Sequence, residues 1–345
     1  MNRLDAGQKM WYNHSAADGP VKKSPARPRL FCLRLRNSQF QQKKAGAQPA
    51  PPIWKGARRM EHCSPAQVKA LCAEFGFRFT KSLGQNFLVS PETVARIADA
   101  AGADRETSVL EIGPGFGALT GALAARAGRV VALELDGALF PVLEKTLAGA
   151  DNVALVRGDA LKTDFAALFE GDPLPRRAAA ANLPYYITTK AILRLLESRL
   201  FSRVTVMIQR EAADKLTCEP GSPSWCLFSL LARHYADARR LFTVPRSCFY
   251  PQPGVESAVV QLTPRPPLPP EEERAFLRLA EAAFATRRKT LANCFKPLKG
   301  AAEALAACEI DPARRGESLS VAEAETLAAA VRQMVQSGAA QGADN

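Results

Sequence analysis

Three acidic residues, a glycine-rich turn and an Asn-Leu-Pro-Tyr segment each close an apolar run. Glu111, Gly113, Gly115 and Gly117 form an ExGxGxG pattern between an apolar run and a helical pattern. Glycines at a strand-to-helix turn admit a tight bend and let a flat or negatively charged ligand approach bare backbone. Glu134 stands 21 residues after Gly113, at the end of the next run, where a carboxylate can accept both hydroxyls of a ribose. Asp159, in Gly158-Asp159-Ala160, follows the third run and could accept from an adenine amino group. The turn and Glu134 alone also fit a nicotinamide enzyme, or a tight turn with acids that merely cap strands. ExGxGxG in place of GxGxxG, together with Asp159, fits a nucleoside without a pyrophosphate better.

Asn182-Leu183-Pro184-Tyr185 ends the fourth run. The Asn182 side-chain oxygen and the Leu183 carbonyl are two acceptors that can hold both hydrogens of an exocyclic amine. An adenine amine is a poor nucleophile because its lone pair is delocalised into the ring, so orienting its hydrogens aims that lone pair at an electrophile. Pro184 keeps the turn rigid, and Tyr185 offers a stacking face. The chemistry is positioning, with no general base required before the transfer.

The elements that must place these groups alternate in a βα rhythm, which predicts a parallel sheet covered on both faces. Strands are expected at Val109 to Ile112, Val130 to Leu135, Val153 to Val156, Ala178 to Ala181 and Val204 to Ile208. Helices are expected at Ala118 to Arg126, Ala138 to Leu147, Thr189 to Glu197 and Leu227 to Tyr235. Arg240 to Val244 and Ser257 to Leu262 then read as a closing hairpin. Pro264, Pro266, Pro267, Pro269 and Pro270 exclude a helix or central strand there and mark a linker. Beyond it, Glu271 to Glu273 favour a helix N-terminus, and Ala-rich amphipathic patterning runs to about Val335. The expected divisions are a tail at 1–59, an α/β domain at 60–264 and a helical domain at 265–345.

The 345 residues carry a net charge of +12, but residues 1–60 hold 13 Lys and Arg against Asp5 and Asp18. The basic character therefore belongs to the tail, and RNA binding by the folded part must rest on local clusters. Six prolines and no apolar periodicity predict that the tail is disordered. It reads as an upstream translation start ahead of Met60, an RNA-binding arm or a targeting sequence. No run approaches about 18 apolar residues, which excludes a membrane-spanning helix. Eight cysteines without a CxxC pair, and no histidine at ligand spacing, predict no metal site and free thiols in a reducing compartment. His234, in an apolar helix, reads as structural.

From about Ser64 to about Phe295 the chain resembles the S-adenosylmethionine-dependent rRNA adenine dimethyltransferases of the KsgA/RsmA type. The resemblance rests on Phe79 to Leu88, the glycine turn, Leu133 to Asp136, Gly158 to Ala160, Asn182 to Thr189, Gln209 to Glu211, Phe249 to Ser257 and Arg287 to Leu291. It implies a Rossmann-like class I methyltransferase domain with a small C-terminal helical domain, and S-adenosyl-L-methionine as cofactor. Asn86 and Leu88 would close over the cofactor. Gly113 and Gly115 would approach it, Glu134 would bind its ribose and Asp159 its adenine, with Asn182 bordering cofactor and target. Tyr185 and Phe249 would stack on opposite faces of a flipped adenine whose amine Asn182 and Leu183 hold, Pro184 keeping the turn in place.

The implied partners are small-subunit rRNA and the immature small ribosomal subunit, met by a cytoplasmic monomer with no membrane association. The helical domain would help recognition, with Arg287, Arg288 and Lys289 either meeting phosphates or forming a solvated helix face. Pro223, Trp225 and Cys226 depart from the usual family loop, where Lys, Tyr and Gly are more typical. The rival enzyme is an Erm-type large-subunit rRNA methyltransferase, and the rival of another class is a noncatalytic RNA-binding assembly factor on the same fold.

Overall fold

The computed structural model describes residues 64–80, 84–286 and 288–341, with the side chains of 338–341 excepted. The tail at 1–59 and Arg287 lie outside the described residues. Helix α1 (Pro65–Phe75) opens on a Ser64 cap, whose hydroxyl accepts the Gln67 N–H, followed by Pro65 in the first turn. After the two-residue strand β1 (Phe87–Leu88), helix α2 (Pro91–Ala100) repeats this device with Ser90 and Pro91.

Strands β2 (Thr107–Ile112), β3 (Arg129–Glu134), β4 (Val153–Arg157), β5 (Arg176–Asn182) and β6 (Arg203–Gln209) follow, with α3 (Ala118–Ala124), α4 (Phe140–Thr146) and α5 (Thr188–Glu197) between them. Each expected strand and helix is present, shifted by a residue or two at its ends. The helix expected from Ala138 opens as a 3-10 turn at Gly137–Leu139, and α4 begins at Phe140 with Pro141 in its first turn.

Helix α6 (Arg210–Thr217) and helix α7 (Leu227–Tyr235) precede β7 (Ala236–Val244), β8 (Phe249–Tyr250) and β9 (Ser257–Pro264). The seven-stranded sheet runs β4-β3-β2-β5-β6-β9-β7, with only β9 reversed, and β1 pairs with β8 in a separate antiparallel ladder. The hairpin expected from Arg240 begins four residues earlier, at Ala236. There β7 is an edge strand with a polar outer face and an irregular register between Arg240 and Phe242.

Alternate residues of the central strands enter opposite cores. Leu110, Val131, Ala179 and Val206 meet α5 and α7 on one face, while Val109, Val130, Ala178 and Met207 meet α2 and α3 on the other. The strand order reverses between β2 and β5, both next to one another and leading to helices on opposite faces. Such a switch point opens a crevice at the carboxyl ends of the strands.

Beyond the prolines come α8 (Pro270–Phe284), α9 (Leu291–Cys294), α10 (Ala301–Ala307) and α11 (Val321–Gln341). Their core, centred on Phe276, Leu279 and Leu327, is continuous with Leu230 and Leu231 of α7 and with Trp225. Trp225 and Cys226, which depart from the family loop, thus have structural places: the indole is buried in this core and the Cys226 N–H donates to Ser229 at the start of α7.

His234 joins the two regions. Its Nδ1 lies 2.7 Å from Glu325 and its ring stacks on Phe276 at 3.8 Å, while the Arg265 guanidinium reaches the same carboxylate at 3.3 Å. Arg288 and Lys289 are exposed in the turn after α8 rather than on a helix face. Phe276→Ala should cost about 3–5 kcal/mol of unfolding free energy, the usual range for a buried ring that leaves a cavity. Urea denaturation checks it, and an unshifted midpoint would remove Phe276 from the role of core anchor.

Candidate active site

At the crevice, Asn86, Leu88, Gly113, Gly115, Glu134, Asp159, Asn182, Leu183, Pro184, Tyr185 and Phe249 all line one cavity. The structure therefore brings together every site residue expected from the sequence, from strands β1, β2, β3, β4, β5 and β8 and the turns beside them. Gly113, Gly115 and Gly117 all have positive φ, at 72°, 58° and 85°. A side chain on Gly115 would come within 2.8 Å of the Phe87 ring, so this turn is packed as well as bent.

Glu134 ends β3 almost fully buried. Burial pushes its carboxyl above the usual range, while backbone N–H groups of Asp136, Gly115 and Leu135 donate to it and hold the rise back. The glycine turn is thus tied to the acid it was expected to work beside. Asp159 has two functions open to it: Oδ1 accepts the Leu161 N–H at 2.9 Å and stabilises its own turn, and Oδ2 lies 3.4 Å from Lys162.

The Asn182 amide is set by a distant segment. Its Nδ2 donates to the Asn86 carbonyl at 3.0 Å, and the Asn86 side chain in turn donates to the Gly84 carbonyl at 3.1 Å. That bond sets which way the amide is turned and leaves Oδ1 as its acceptor atom. In the turn that follows, the Pro184 carbonyl accepts from the Ile187 N–H and the Thr188 hydroxyl, which fixes the start of α5. Leu183 is buried beneath, and the Tyr185 hydroxyl lies 3.4 Å from Ser257 Oγ. Phe249 is buried and pairs with Leu88 across the β1–β8 ladder.

Three lining residues carry functions that sequence reasoning did not single out. Gln85 bridges the Thr80 N–H, at 2.8 Å, and the Asp136 carboxylate, at 2.7 Å, so it straps residues 84–88 across the cavity. Tyr186 lines the cavity with an exposed ring that rests against Gly84. Glu111, quoted as part of the glycine pattern, is fully buried with Oε2 lacking a hydrogen-bond partner. Burial, and to a lesser degree the charge of Glu134, pushes its carboxyl up to about 8, with Thr120 drawing it back only in part. An ionisable residue inside the apolar run Val109 to Ile112 was the one signal that could have found it.

Glu111 makes stability depend on pH in a definite direction. Its folded-state value is raised, so the stability of the protonated form is full below the ordinary carboxylate range and is lost as pH rises through about 8. Between pH 5 and 9 the wild type should lose about 2–4 kcal/mol relative to Glu111→Gln. Urea unfolding across that range checks it, and a constant difference would show that Glu111 is not held neutral by the fold.

A family model described as "Ribosomal RNA adenine dimethylase" matches residues 76–332. The "Ribosomal RNA small subunit methyltransferase A" of Geobacillus thermodenitrificans is 44% identical over 281 residues, covering 78% of this chain and 96% of that protein. The protein of the same description from Moorella thermoacetica is 45% identical over 273 residues, covering 75% and 95%. Among solved structures, the 23S rRNA methyltransferase ErmE is similar with a TM-score of 0.58 and 28% identity, over 72% of this chain and 100% of that one. A dimethyladenosine transferase from Plasmodium falciparum shares the fold, with a TM-score of 0.58 and 24% identity over 70% and 95%. With the family model spanning most of the described residues and the shared motifs meeting at one cavity, the chain belongs to the ribosomal RNA adenine dimethylase family.

Proposed function

We propose that this chain is an rRNA adenine N(6),N(6)-dimethyltransferase that modifies two adjacent adenosines in the 3′-terminal hairpin of small-subunit (16S) rRNA. The observation that carries the reading is the Asn182 amide, whose Nδ2 is held by the Asn86 carbonyl so that Oδ1 remains for the amine of a base. Oδ1 and the Leu183 carbonyl accept the two amine hydrogens, and the nitrogen lone pair then points along the remaining direction. Tyr185 and Phe249, both lining the cavity, hold the faces of the flipped adenine.

The residues present also fit S-adenosyl-L-methionine. Glu111 Oε2 is a buried polar atom without a partner, Glu134 is a carboxylate fixed by backbone donors, and the positive-φ glycines leave the turn without side chains. When bound, the cofactor supplies an electrophilic methyl group. Glu134 would accept the ribose hydroxyls, Asp159 the adenine amine, Gly113 and Gly115 would allow close backbone approach, and Asn86 and Leu88 would cover it. The amine nitrogen, held through its hydrogens by Asn182 and Leu183, would take that methyl group and would lose its proton to solvent afterwards. Asn182 stabilises the charge that develops on nitrogen, which matters more in the transition state than in the bound state.

The substrate is the rRNA of the immature small subunit, met by a cytoplasmic monomer, with the helical region 265–345 aiding its recognition. The greater likeness to the small-subunit methyltransferases than to ErmE favours this substrate over large-subunit rRNA. A noncatalytic binder would have no use for the oriented Asn182 amide and the aromatic pair beside it. Primer-extension mapping of rRNA from cells lacking the protein tests the assignment. Loss of dimethyladenosine from the small-subunit hairpin is expected, and loss from large-subunit rRNA would overturn it.

Two variants separate binding from chemistry. Asn182→Ala should slow single-turnover methyl transfer on immature small subunits by about a hundredfold while RNA affinity changes little. The second methyl should suffer more, since a monomethyl amine has only one hydrogen left to donate. Wild-type rates for both steps would defeat the mechanism. Glu134→Ala should weaken cofactor binding by about 1–3 kcal/mol, and calorimetry showing unchanged affinity in a folded variant would remove Glu134 from the ribose site.

A further inference from the structure

Among the described residues, the exposed large apolar side chains are Leu135, Tyr186, Val255, Met334 and Val335. Three of these stand at the carboxyl edge of the parallel strands. Leu135 follows β3, Tyr186 follows β5, and Val255 precedes β9, which runs the opposite way and so begins at that edge. Leu135 and Tyr186 line the cavity, and Val255 stands outside it.

The loop that carries Val255 has both roots on the aromatic pair. It leaves β8, where Phe249 lines the cavity, and enters β9 at Ser257, whose hydroxyl lies 3.4 Å from that of Tyr185. Pro253 is buried, and the carbonyls on either side of Val255 are pinned. Arg246 Nη1 donates to the Gly254 carbonyl at 3.1 Å, and the Arg210 backbone N–H donates to the Glu256 carbonyl at 3.0 Å. The Arg210 guanidinium also pairs with the Glu256 carboxylate at 2.7 Å. A loop fastened this closely presents a side chain that is 47% exposed.

A single exposed valine is too small a patch for a protein partner. Its size and place suit a different surface. A base lifted out of a stack leaves its neighbour with an uncovered apolar face, and proteins that distort nucleic acids fill such gaps with apolar wedges. Resting on the methyl-transfer reading above, we propose that Val255 is a substrate-positioning wedge. It enters the gap left by the extruded adenosine, covers the face of the adjacent nucleotide and so keeps the target from restacking. With two adjacent targets, one loop in one place serves both extrusions.

The test uses the full chain with immature small subunits carrying 2-aminopurine, whose fluorescence rises on unstacking, at the target position. Wild type should raise the fluorescence, and Val255→Ala should lose most of that rise. On unmodified subunits, Val255→Ala should slow single-turnover methyl transfer about tenfold, the size expected for two lost methyl contacts. Val255→Ile should retain both signals, and Val255→Asp should lose both while cofactor affinity and unfolding midpoint stay those of wild type. Wild-type fluorescence and rate in Val255→Ala and Val255→Asp would overturn the wedge alone. A wild-type protein that forms no methylated adenine would overturn the activity and the wedge with it.

Discussion

The hydrogen bond from the Asn182 amide to the Asn86 carbonyl is the contact on which the organisation of the cavity turns. It joins the end of the fourth parallel strand to a short segment 96 residues earlier and fixes which way the amide is turned. An amide free to flip would offer a donor to an amine as readily as an acceptor, and the two orientations have opposite consequences for a nucleophile. The same segment is fixed from the other side by Gln85 on Asp136, and along its length by the Leu88–Phe249 and Phe87–Tyr250 pairs. The glycine turn, the acidic turn after β3, the Asn182–Tyr185 turn and the aromatic wall therefore share one short strap.

Electrostatics gives the crevice a second constraint. Two carboxyl groups, Glu111 and Glu134, stand in a place that burial makes unfavourable for charge, and the charge of Glu134 adds to the cost of ionising Glu111. They are handled differently. Glu134 receives backbone N–H groups from its own turn and from the glycine turn, which support a charged acceptor. Glu111 has an oxygen with no partner and is held protonated near neutrality. A buried polar atom left unpartnered is a cost that folding alone gives no reason to keep, and it lies where a cationic or hydrogen-bonding ligand group would relieve it.

The helical region is coupled to the sheet through packing more than through the proline-rich connection. Trp225 and the inner face of α7 enter the core formed by α8 to α11, and His234 adds a stacked ring and a hydrogen bond to Glu325. Burial lowers the imidazole's affinity for a proton, so it joins the two regions as a neutral group. The departure of residues 223–226 from the family loop thereby acquires a packing reason in the case of Trp225. Nothing in the structure explains Pro223.

Much of this was legible in the sequence because it is local. Strand β2 with its glycine turn, Glu134, Asp159 and the Asn182–Tyr185 turn follow from apolar runs, turn residues and spacing, each set by neighbours along the chain. The acidic first turn of α8 was legible in the same way. Tertiary structure alone decided the two-residue β1–β8 ladder, which has no periodicity to announce it, and the bridge from Gln85 to a residue 51 positions away. It decided that Glu111 Oε2 lacks a partner, since burial depends on what other elements bring to the strand, and that Asn182 turns its Nδ2 to the Asn86 carbonyl. The physical reason is common to these cases: local conformation is governed by residues a turn or a strand apart, whereas the direction of a hydrogen bond and the polarity of a pocket depend on groups that only folding brings within about 3 Å.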